Sequence, residues 1–162
     1  MKRILLAATL VVVLVLALSA TGAFSASAKP KDGAGNRLVG TWLTTVTLTN
    51  PPPGVDATFQ ALDTFVPGGG ILVSSSQSHP TARSLAHGNC ARTGGHQYSC
   101  TFVWFRFDPT GAYLGMQRVR RTMTVSQDGN SFESTDTVEV LAPNGAVVAT
   151  LQGSETGQRL GA

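Results

Sequence analysis

Between residues 38 and 160 apolar and polar side chains alternate with a period of two, in runs broken by Gly, Pro, Asn and Asp. That is the pattern of β-strands whose two faces meet different surroundings. Residues 132–140 display it: Phe132, Ser134, Asp136, Val138 and Val140 share one face, and Glu133, Thr135, Thr137 and Glu139 the other. Eight strands are predicted, at about 40–49, 58–66, 70–75, 87–93, 97–107, 112–125, 130–141 and 146–159. No helical period appears outside the first 28 residues. The connections are short except for 50–56, which holds three prolines, and 76–86. Eight antiparallel strands in sequence order close most simply into an up-and-down barrel, which leaves no free edge. A two-sheet β-sandwich is the alternative.

Three turns of one chemical type set the expected register: Asp108-Pro109-Thr110-Gly111, Ser126-Gln127-Asp128-Gly129 and Ala142-Pro143-Asn144-Gly145. Each supplies residues suited to a type I turn followed by a glycine in the left-handed region. Taken as three-residue loops, they pair Asp108 with Ala112, Ser126 with Asn130 and Ala142 with Ala146. Counting outward places Trp104 opposite Met116, Phe102 opposite Arg118, Arg120 opposite Asp136, and Asp136 opposite Gln152. The alternation at 132–140, and that of Trp42, Thr44, Val46 and Leu48, makes even positions the inward ones. The expected interior is then apolar at Trp42, Phe102, Trp104, Leu114, Met116, Phe132, Val138, Val140 and Val148, and polar at Arg106, Arg118, Arg120, Asp136, Thr150 and Gln152. Buried ions cost several kcal/mol each unless paired. Two readings of this polar set stand side by side: an anion-seeking wall for a ligand, or a structural Arg120–Asp136 pair with Arg118 reaching for a barrel mouth.

The amino terminus changes what is counted as the domain. Lys2 and Arg3 precede an apolar run from Ile4 to Leu18, and Ala26-Ser27-Ala28 provides a small-residue cleavage site, so residues 1–28 read as a secretory signal peptide. The run is shorter than the ~20 residues of a spanning helix, and no Cys follows it closely as a lipid attachment site would require. Residues 29–37 read as a flexible tether and 38–162 as one barrel domain. The 162-residue chain carries a net charge of +3. Lys2 and Arg3 leave with the leader, so ten basic residues then face nine acidic ones, and general nucleic-acid binding is not expected. The abundance of Arg over Lys points to a GC-rich bacterial source, and the leader to a secreted or periplasmic location.

Cys90 and Cys100 are the two cysteines. A turn centred on Gly95 places them opposite one another, and in an oxidising compartment a disulfide is expected. His87, Cys90, His96 and Cys100 offer metal-ligand types at close spacing, but not at a zinc-site spacing, so neither a metal nor another cofactor is expected. There is no Gly-x-Ser-x-Gly elbow for nucleophilic catalysis. His79 and His87 flank the long 76–86 connection, a candidate lid over the barrel mouth.

Gly40-Thr41-Trp42 at the start of the first strand and Arg159 at the end of the last resemble the lipocalin and wider calycin pattern. The resemblance implies that Gly40, Trp42 and Arg159 close one end of the barrel, the basic residue lying over the tryptophan. Avidin-like barrels and barrels of the allene-oxide-cyclase type are similar in shape. The helix that follows a lipocalin barrel has no counterpart before Ala162, so only the closure residues carry over.

Two functions fit this reading. The first is an exported barrel that holds a small amphipathic molecule, its body against Trp104, Met116, Phe102 and Phe132 and its acidic head at Arg118 and Arg120, with Asp136 and Gln152 beside them. The second is a cyclase- or isomerase-type enzyme in the same cavity, with Asp136 moving a proton and Arg120 poising it. The oligomeric state is not legible in the sequence.

Overall fold

The computed structural model describes residues 37–77 and 79–161; the expected signal peptide and nearly all of the expected tether lie outside them. The strands are β1 (Gly40–Thr49), β2 (Thr58–Phe65), β3 (Gly70–Ser75), β4 (Ala86–Gly94), β5 (Gln97–Phe107), β6 (Tyr113–Val125), β7 (Ser131–Leu141) and β8 (Val147–Arg159). Each pairs antiparallel with its sequence neighbour, and β8 returns to β1, giving a closed up-and-down barrel. The alternating pattern is met here by turning one face of each strand into the barrel and pairing every strand edge. Beyond the strands there is a single turn of 3-10 helix at Pro80–Ala82, and no described helix is long and apolar enough to cross a membrane.

The 66–69, 95–96 and 126–130 turns gather at one end, together with residues 37–39, and close it. Trp42 is fully buried there. Its indole nitrogen donates to the Leu38 carbonyl at 2.9 Å, and its ring lies 5.3 Å from that of Phe132. Arg159, the β8 partner of Trp42, sets its guanidinium 4.3 Å above the indole, a cation–π contact. The same guanidinium donates to the carbonyls of Gly129 at 2.9 Å, Val39 at 2.6 Å and Arg37. Gly40 is glycine for a steric reason: at φ 132°, a Cβ would come within 2.7 Å of Arg159 Nη1. The residues expected to close the barrel thus make the closure. Cys90 and Cys100 face each other across β4 and β5 and form a disulfide. On the chain-entropy account, closing so short a loop stabilises the fold by about 3 kcal/mol.

The register differs from expectation at three places. The Asp108 turn forms as read, with Asp108 N donating to Ala112 O at 3.0 Å and the Asp108 carboxylate accepting from Thr110 and Ala112. A bulge then inserts Leu114: Phe107 pairs with Tyr113 but Arg106 with Gly115. Gly115 has φ 105°, and a Cβ there would meet Leu141 O at 2.0 Å, so the bulge requires glycine. The Ser126 turn spans four residues rather than three, because Ser126 N pairs with Ser131 O at 2.9 Å and Val125 faces Phe132. The Ala142 turn is as expected, but a second bulge inserts Val148, so Val140 faces Ala149.

These shifts reverse the inward parity of β6 and β8. Leu114, Val148, Thr150 and Gln152 are exposed, Arg120 lies outside, and Met116 and Arg118 are half-buried on the outer wall. Even positions remain inward on β1, β5 and β7, where Trp42, Phe102 and Phe132 are buried.

Trp42→Ala is expected to lower unfolding free energy by about 3–5 kcal/mol, through loss of a large buried ring, measured by urea denaturation. Arg159→Ala is expected to cost less, because the indole stays in place. A nearly neutral Trp42→Ala would show that the barrel does not depend on this closure.

Candidate functional site

At mid-height in the barrel, Arg121 points inward from β6 and is completely buried. Its position follows from the bulge at Gly115, which turns Val119, Arg121, Met123 and Val125 to the interior. Three carboxylates from three other strands surround it: Asp63 of β2, Asp136 of β7 and Glu155 of β8. Arg121 Nη1 donates to Asp63 Oδ2, and Nε to Asp136 Oδ1 at 3.3 Å. Nη2 contacts Glu155 Oε1 without hydrogen-bond alignment. Asp136 Oδ1 also accepts from Ser134 Oγ at 3.1 Å, and the Phe102 ring lies 4.9 Å from the guanidinium carbon.

The charges in this cluster do not balance. One permanent cation faces three buried acids, and an ion without full compensation is costly there. Burial pushes the Glu155 carboxyl well above the ordinary range, and Asp63 and Asp136 add to the effect against the pull of Arg121. Burial also raises Asp63, partly countered by Arg121. For Arg121 burial works against the charge, but Glu155, Asp63 and Asp136 outweigh it and raise its pKa above that of an ordinary arginine. The cluster therefore holds a proton to higher pH than an isolated carboxyl would.

Above the cluster, toward the other end, lies a cavity of about 510 Å³, within the range of small-molecule sites. Asp136 and Glu155 form part of its floor, and Val46, Phe59, Val73, Phe102, Val119 and Val138 part of its apolar wall. At the lip stand Trp104, Arg106 and Gln117 from the strands, with Pro52–Asp56, Gln77 and Arg83 from the two long connections. Arg83 stacks on Trp104, its guanidinium carbon 4.2 Å from the ring centre, and the Arg83 and Arg106 backbones meet in an isolated β-bridge. Neither arginine has an ion pair among the described residues. Arg83 Nη2 is buried with no hydrogen-bond partner among the described residues, and burial lowers the guanidinium to about 10, still charged near neutral pH.

Of the side chains expected to bind a ligand, Phe102, Trp104 and Asp136 line this cavity, as does Arg106. Phe132 packs instead in the closed-end core against Trp42. Arg118 and Arg120 lie on the outer wall, where both donate to Glu139 Oε2 at 2.6 Å. Met116 is also on that outer side, and Gln152 accepts from Thr137 Oγ1 at 3.1 Å on an exposed face. The expected Arg120–Asp136 pair is replaced by Arg121–Asp136, one residue along. With Cys90 and Cys100 joined, the cysteine–histidine set has no thiolate to offer a metal.

Arg121, Asp63, Glu155 and Arg83 were missed by the register arithmetic, although two of them carried a local signal. Asp63 alternates with Phe59, Ala61 and Phe65, and Arg121 with Val119, Met123 and Val125, so each sits on its strand's apolar face. Comparison with protein-family models, with curated proteins and with solved structures gave no match.

Once unfolded, Glu155 ionises near its ordinary 4.5, whereas the folded barrel holds the proton to higher pH. Over that window the folded state binds more protons, so stability falls as pH rises. Glu155→Gln removes this slope: relative to the variant, the parent protein is expected to lose up to about 1.4 kcal/mol per pH unit above the ordinary value. Urea titrations of both proteins at several pH values from about 5 to 8 measure it; parallel curves would mean that Glu155 is ionised in the folded barrel.

Proposed function

We propose that this is an exported barrel that binds one small amphipathic molecule, its apolar body in the cavity and its acidic head at the lip. One observation carries the reading: a buried guanidinium nitrogen of Arg83 with no protein partner, beside Arg106, at the mouth of an apolar-walled cavity. A buried donor left without an acceptor is costly, and a carboxylate or similar anion seated between the two arginines would supply one. The acidic head thus belongs to Arg83 and Arg106, in place of the outer-wall Arg118 and Arg120. Export rests on the leader-like amino terminus and agrees with the Cys90–Cys100 disulfide.

The enzymatic alternative has an observation of its own. Asp136 and Glu155 place carboxyl groups on the floor of the same cavity, with Arg121 in the role expected of Arg120, so a bound molecule would have proton-transfer groups beneath it.

Decanoate is a suitable probe, with decanol as the uncharged control. Isothermal titration is expected to show decanoate binding in preference to decanol, and Arg83→Met and Arg106→Met each to weaken it by about 10–100-fold, as loss of a charged hydrogen bond implies. Arg118→Met and Arg120→Met are expected to leave it unchanged. Equal binding of acid and alcohol, or losses confined to Arg118 and Arg120, would reject the assignment of the head group.

A further inference from the structure

Glu155 is the least well matched member of the buried cluster. Its Oε1 contacts Arg121 without a hydrogen bond, and its Oε2, equally buried, receives a hydrogen from no donor. It shares the cavity floor and the Arg121 guanidinium with Asp136, whose Oδ1 already accepts from Arg121 and Ser134. Asp63, Asp136 and Glu155 lie against the one guanidinium of Arg121, and three acids around one cation favour holding a proton among them. The Glu155 oxygen that accepts from no donor is the place for that hydrogen.

We propose that Glu155 is a carboxylic acid on the cavity floor that donates its proton to a carbonyl oxygen of the bound amphiphile, with Asp136 as the partner base. The proposal rests on the ligand reading above, and it extends the substrate class to an acid whose chain carries a ketone some distance from the head group. The upward shift of the Glu155 carboxyl by burial is in keeping with it. The groups facing Glu155 are Arg121 of β6, Asp136 of β7 and, across the arginine, Asp63 of β2. Arg121 stays cationic throughout and stabilises whichever carboxylate forms.

The step is enolisation. The Glu155 hydroxyl hydrogen passes to the ketone oxygen, whose π electrons form the new O–H bond. The Asp136 carboxylate takes a proton from the adjacent carbon, and the electrons of that C–H bond become the C=C bond of the enol. Glu155 is left as carboxylate and Asp136 as acid, and the reverse step returns both protons. No oxidant, reductant or second substrate is needed. In heavy water the cycle leaves deuterium beside the ketone.

Two measurements test this on the intact protein. The infrared spectrum of the ligand-free protein near neutral pH is expected to contain the carbonyl stretch of a protonated carboxylic acid, shifted by isotopic labelling of glutamate and absent in Glu155→Gln. With 9-oxodecanoic acid in heavy water, mass spectrometry is expected to show protein-dependent deuteration beside the ketone. Glu155→Gln is expected to slow that exchange by ~100-fold, the typical contribution of a general acid; the outer-wall variant Arg120→Met is expected to exchange at the parent rate with decanoate affinity retained. Absence of the protonated-acid band, absence of exchange in the parent protein that binds decanoate, or undiminished exchange in Glu155→Gln each overturns the proposal. Failure of decanoate to bind overturns the ligand reading instead, and the infrared band still reports on Glu155 alone.

Discussion

A single buried cation organises the centre of this barrel. Arg121 ties β6 to β2, β7 and β8 through Asp63, Asp136 and Glu155, so strands distant in sequence are held at one height by charge as well as by backbone pairing. Desolvating such a group is justified only if its partners are numerous and well placed. Here they are more numerous than the charge requires, and that excess pushes the Glu155 carboxyl up in a cluster of which two acids, Asp136 and Glu155, also line the cavity.

The cluster divides the barrel into two halves of different character. Below it, Trp42, Met123, Val125 and Phe132 pack closely beneath Arg159 and the turns of the closed end. Above it, smaller side chains such as Val46, Ala61 and Val73 leave a cavity where larger ones would have filled the bore. Eight strands give a bore that side chains can just fill or that can hold one small molecule. This chain does the first at one end and the second at the other. Polar groups sit at both ends of the cavity, Asp136 and Glu155 on the floor and Arg83, Arg106 and Asp56 at the lip, with apolar surface between.

Much of the architecture could be read from local signals. Period-two alternation and glycine-bearing turns determined the strands to within a residue or two, their order, the inward face of β1, β5 and β7, the facing cysteines and, through a resemblance, the contact of Trp42 with Arg159. Each depends on neighbours in sequence or on one tight turn, whose chemistry is written in a few adjacent residues.

The site depended on interactions that are not local. Whether Ser126 opens a three- or four-residue turn, and whether Leu114 and Val148 bulge out of their ladders, is decided by how β6 must curve against β5 and β7 as the sheet closes. Each choice moves a strand by one residue and exchanges its two faces. Thus Arg118 and Arg120 went outside to Glu139, Arg121 came inside to Asp136, and Glu155 replaced Gln152 on the inner face of β8. The alternation of Val119, Arg121, Met123 and Val125 was already present in the chain, because burial selects side chains strand by strand. Which carboxylates would meet that arginine was decided only by closure of the barrel, since Asp63, Asp136 and Glu155 come from three strands and share no local pattern with it.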